Sequence, residues 1–208
     1  TVKIYLFAHL GQAYSHIKTL RQPNDGFSTF WKQSPPNIDS IYAITYRLMS
    51  HSHERIAMTQ PPYTLSLDLE DFRQHKVGSS LRETTPLNEG EVLFRVDKLA
   101  LTANSISYGF AGKSGLIRYL DIFPADEGYA NLPCWGYADV VSSKHPSLSV
   151  GDRVYGFLPI ASHVVMKPGK VSPGGFTDMR TCRSVVPPFY NEYAMTANEP
   201  GYAPEFEE

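Results

Sequence analysis

"LPCWGYADVVSSKHPSLSVGDRVYGF", Leu132 to Phe157, is the stretch on which the fold turns. Its "YADVVSS" alternates apolar and polar residues as a half-buried strand does, and "DRVYGFLPI" opens a second strand after the break "HPSLSVG". Between them Gly151 permits a tight turn, and Asp152 is suited to accept bonds from local backbone amides. Two short strands joined by a polar turn are the signature of a β-rich unit.

Further strands flank this pair. Upstream, "YTLSLDLEDF" places Leu65, Leu67 and Leu69 on one face, and after the turn "PLNEGE" the run "EVLFRVDKLALTA" continues the alternation through Val92, Phe94 and Val96. Downstream, "SHVVMKP" is another short strand. The even spacing of turns predicts a mainly β fold with a few short helices, a barrel or a sandwich. "VPPFYNEYAMTANEPGYAPEFEE" changes character: its prolines suit a helix start, and a helix is expected over Phe189 to Thr196, followed by a Pro/Gly-rich boundary. Residues 1 to 57 show no sustained period; "KQSPPNIDS" is a loop, and in "IDSIYAITYRLMSHS" Ile41, Ile44 and Leu48 make one loose helical face. Met58 is where the compact part is expected to begin. The organisation read from these signals is an N-terminal extension over 1–62, weakly structured or partly helical, a β-barrel over 63–187, and a helix with the start of a linker over 188–208.

Composition narrows the function classes. A 208-residue chain that is 42% hydrophobic can build a core, and its formal charge of −2, without a dense basic patch, argues against nucleic acid and anionic lipid as partners. No apolar run approaches the ~20 residues that span a bilayer. "TVKIYLFAHL" lacks a small-residue cleavage site, and two cysteines, Cys134 and Cys182, form neither a disulfide framework nor a zinc spacing. A reducing, cytoplasmic setting with free thiols follows. His9, His16, His51 and His53 have too few neighbouring ligands for a closed metal site, and read as solvated side chains.

Three pieces stand in order: "GEVLFRVDKLALTANSISYGFAG", "LPCWGYADVV" and "VGDRVYGFLPIASHVVMKPGKV". That order resembles the N-terminal, GroES-like catalytic domain of the medium-chain dehydrogenase/reductase superfamily. A nearer resemblance is to a branch of that superfamily with no assigned reaction, through "ALTANSISY", "PCWGYADVVSSKHP", "GDRVYGFLPIASH" and "FYNEY"; it covers about Leu65 to Tyr202. The resemblance implies a partly open GroES-like barrel. Where zinc-dependent members carry a cysteine and a Gly-His-Glu triplet, this chain has "LTANSISYG" and Gly136, Tyr137, Ala138. Neither suits tetrahedral zinc, so the implied relatives are the zinc-independent quinone oxidoreductases and enoyl reductases, which use NADPH.

Such chemistry asks the protein to orient a flat acceptor and to donate a hydrogen bond or proton where charge develops. By resemblance Asn104, Ser107 and Tyr108 occupy the loop of polar active-site residues. Trp135 and Tyr137 offer aromatic surface for stacking, and Tyr190, Asn191 and Tyr193 are expected beside the cleft between domains. Each has a structural reading as well: Asn104 as a turn cap, Trp135 as core, the "FYNEY" tyrosines as anchors of a helix. His145 and His163 suit proton relays by their pKa, though a "KHP" turn and a strand are ordinary histidine positions.

A dinucleotide fold needs a glycine-rich turn at a helix start. "KPGKVSPGGF" and "GFAGKSG" lack the spacing. By the resemblance a Rossmann half would begin at about Glu208, so a truncated product, a fragment and a stand-alone barrel all stay open, and the chain is expected to be inactive alone. Two functions stay open: the substrate-side domain of an NADPH-dependent oxidoreductase, or a non-catalytic GroES-like module for a partner protein or small apolar ligand. The face left by a cofactor domain would favour homo-oligomers.

Overall fold

The computed structural model describes residues 62–71, 74–102, 104–105, 107–109, 118–123 and 125–203, together with the backbone of 3–6. The fold is mainly β with a few short helical turns, and its larger sheet curls into a half barrel. In chain order the strands are β1 (Lys3–Leu6), β2 (Tyr63–Asp68), β3 (His75–Ser79), β4 (Val92–Leu101), β5 (Tyr129–Asn131), β6 (Pro133–Ser143), β7 (Arg153–Pro159), β8 (His163–Met166), β9 (Gly175–Thr177) and β10 (Glu192–Met195). Seven of them form a sheet in the order β1-β4-β6-β7-β10-β9, with β8 also on β4; β3-β2-β5 form a second sheet.

The quoted stretch is the hinge of this arrangement. β6 and β7 pair antiparallel from Pro133↔Pro159 to Asp139↔Arg153. Their turn closes as expected: Gly151 adopts a φ of 96°, and the Asp152 carboxylate accepts a bond from the Ser149 amide at 2.8 Å. β6 then pairs with β4, whose other edge is shared by β8 over Val92–Arg95 and by β1, in parallel, over Lys98–Leu101.

Alternation sets the core. Val92, Phe94 and Val96 are fully buried, as their period predicts; a register irregularity between Val96 and Lys98 then turns Leu99 inward. Ala138 and Val140 of β6, with Val154 and Phe157 of β7, complete this centre. Leu65 packs on the same cluster, whereas Leu67 and Leu69 cover a smaller one around Leu120 and Ala130. The two sheets are stitched by backbone bonds from Leu65 to Ile160 and between Ser162 and Tyr63.

Two expectations are corrected. The helix over Phe189 to Thr196 is absent: Pro188–Tyr190 make one 3-10 turn, and β10 follows, paired with β7 on one edge and β9 on the other. The segment has period two, Tyr193 and Met195 being buried and Glu192 exposed, and two open strand edges outweigh a helical start signal. Because β10 and β7 share a sheet, the β unit also runs past Pro187, where the barrel was expected to end. At the other end β1 places a strand inside the 1–62 extension; the helix over "IDSIYAITYRLMSHS" and the histidines His9, His16, His51 and His53 lie outside the described residues. Among the described residues no helix is long and apolar enough to cross a membrane.

Candidate functional site

The outer face of β6, β7, β10 and β9 carries an open trough of about 460 Å³, within the usual range for a small-molecule site. Strand register builds it. Tyr155, Ala194 and Gly175 are successive partners across β7, β10 and β9, so a bulky aromatic gives way to a floor of small side chains. Trp135 and Phe189 raise the wall, and Lys170 and Glu192 stand exposed beside it. Trp135 stacks on Tyr155 with centroids 5.8 Å apart and 19° between planes, and packs against Phe157 and Tyr190. One face of each stacked ring is thus covered by the other, and both residues line the trough.

Behind Trp135 lies a buried aromatic cluster. Tyr108 packs on Tyr119, Phe157 and Tyr190 with centroids 4.8, 5.0 and 5.9 Å away. The Trp135 indole N–H donates to the Tyr108 hydroxyl at 3.3 Å, and the Tyr119 and Tyr190 hydroxyls share a bond at 3.0 Å. Burial, and then the bond to Tyr119, push the Tyr190 phenol well above its ordinary range. Neighbouring Cys134 is buried, its thiol raised to about 12 by desolvation, and donates to Ser105 Oγ. It is an inert packing residue.

The sequence-derived residues divide accordingly. Asn104 and Ser107 are exposed on the helical turn after β4, which Ser105 pins by accepting a bond from the Thr102 amide. Tyr108 is in the buried cluster, and Trp135 alone of the outer-face pair lines the trough. Tyr137 sits one step along β6 from it, against Tyr155 and Tyr202, with Arg153 above its ring.

Tyr190 is a buried cluster member, and Asn191 is buried with its amide donating to the Arg183 carbonyl at 2.8 Å. Tyr193 borders the trough from beneath, but its ring belongs to the core and its hydroxyl donates to the Phe157 carbonyl. Desolvation raises that hydroxyl to about 12. The structure therefore joins Tyr108, Trp135 and Tyr190 in one cluster and leaves Asn104, Ser107 and Asn191 outside the trough. Tyr155, Ala194, Gly175, Phe189 and Lys170 escaped sequence reasoning as site residues, because their convergence depends on the β7-β10-β9 pairing.

The two histidines read as structural. His145 caps its own turn, its Nδ1 accepting from the Ser147 amide at 3.2 Å. His163 is buried on β8, and neither ring nitrogen has a well-formed hydrogen bond among the described residues. Burial holds its pKa low, partly opposed by Glu83 and reinforced by Arg95. The folded chain thus takes up this proton less readily than the unfolded one, and stability present above the unfolded value of about 6.5 declines as pH falls through it. His163→Gln should flatten the fall in stability between about pH 7 and pH 5, read by urea titrations at each pH. An unchanged slope would place the acid sensitivity elsewhere.

A family model described as "Protein of unknown function (DUF2855)" matches residues 99–208, over half of the chain and the whole of the trough. No curated protein matches the sequence.

Proposed function

The chain belongs to the DUF2855 family of proteins of unknown function, and on that premise we propose that it is the substrate-side domain of a zinc-independent, NADPH-dependent oxidoreductase acting on a quinone or enone. In this reading the half barrel is GroES-like, and the trough takes the flat acceptor beside Trp135 and Tyr155. The trough is the observation that carries it: aromatic walls meet a floor made flat by Ala194 and Gly175, a shape matched to a planar ring.

The described residues do not fit the nicotinamide cofactor. Holding its pyrophosphate calls for a glycine-rich turn at the start of a helix, and the described 3-10 turns, three to five residues long, supply none. No hydride step is therefore derived from them. What these residues contribute is binding and orientation of the acceptor in the cytoplasm, where Cys134 and Cys182 stay thiols.

A second reading, a non-catalytic module for a small apolar ligand, is favoured by the hydroxyls of Tyr108, Tyr190 and Tyr193, all buried and engaged. The two separate in one experiment. The chain, alone and continued through its reading frame, is titrated with NADPH and then supplied with a naphthoquinone. NADPH oxidation by the longer form, reduced by Ala194→Leu on the trough floor, supports the oxidoreductase. Quinone binding without NADPH binding in either form leaves the module.

A further inference from the structure

We infer that the ligand of the trough carries an anionic substituent and that Lys170 selects for it, an inference that rests on the trough being the binding site. Lys170 is the cation on the lining, and it is exposed. Among the described residues no ion pair or hydrogen bond engages its ammonium. Its loop is held in place: Gly169 donates to the Thr177 carbonyl at 2.9 Å, and Ser172 and Gly175 exchange backbone bonds at 2.9 and 3.1 Å. The cation therefore has a fixed base beside the β9 floor.

Glu192 is the carboxylate on the same lining. It opposes an anion and sharpens the test, because removing it and removing Lys170 must act in opposite directions.

Three probes share one ring system: 2-naphthoate, 2-naphthalenemethanol and protonated 2-naphthylmethylamine. Affinities are read at low salt from the indole N–H resonance of Trp135 in an NMR titration. Naphthoate should bind about fivefold more tightly than the alcohol, the upper end for an exposed ion pair, and the ammonium no more tightly than the alcohol. Lys170→Gln should erase the naphthoate advantage and Glu192→Gln should enlarge it. Equal affinity for naphthoate and alcohol, or an advantage that survives Lys170→Gln, overturns the inference while leaving the trough as a site. If none of the three moves the resonance, the trough itself is not the binding site and the inference falls with it.

Discussion

Gly136→Ala is expected to lower stability by about 3 kcal/mol, at the upper end for forcing atoms into a packed interior. A Cβ at this position would meet the Lys98 carbonyl oxygen, with Leu99 Cδ2 at 2.9 Å and Leu99 Cα at 3.1 Å. Two of these three atoms are backbone of β4, so relief requires β4 and β6 to part along the longest pairing in the sheet. Gly136 thus has a packing role. It lies between Trp135 and Tyr137 and faces Gly156, over which the Tyr193 ring lies, so the damage would reach the trough wall as well. Denaturant midpoints measure the cost; a loss under about 1 kcal/mol would show that the two strands separate easily.

The second large effect concerns a buried ion cluster. The Asp178 carboxylate is fully buried and holds Arg180 at 2.7 Å and Arg183 at 3.3 Å, while Arg183 is itself 1% exposed and donates to the Tyr190 carbonyl at 3.1 Å and to the Tyr193 hydroxyl. Its guanidinium also rests 4.7 Å from the Phe123 ring. Asp178→Asn strands the Arg183 cation away from water and should cost about 4 kcal/mol, whereas Arg183→Met leaves Asp178 its partner Arg180 and should cost well under half of that. The difference between the two variants is the diagnostic quantity. Equal losses would mean that packing volume, not the uncompensated charge, governs this corner.

Legibility followed the range of the interactions. β4, β6, β7 and β8 were visible because local alternation and turn chemistry agree with the final pairing, and Gly151 and Asp152 behave as their types require. β5 and β9, three residues each, are too short to show a period. β10 was mistaken for helix since nothing within "FYNEYAMT" reveals the two strands that receive it. For the candidate site, Trp135 was named only through the family resemblance, as aromatic surface for stacking, and it lines the trough. Tyr193 was placed at the cleft by its chain position, yet glycine at 156 lets its ring lie on the core side of the sheet. Arg183, among the largest fully buried side chains of the described residues, gave no signal, because a cation is taken for surface until its partner Asp178 is known.

A planar ligand is expected to occupy the floor between Tyr155 and Gly175, and calorimetric titration of the chain with 2-methyl-1,4-naphthoquinone measures this. The parent chain should bind, and Ala194→Leu, which fills the floor on the solvent face, should abolish binding with its melting temperature unchanged. Binding that persists in a correctly folded Ala194→Leu variant, or no heat of binding with the parent chain, would contradict it.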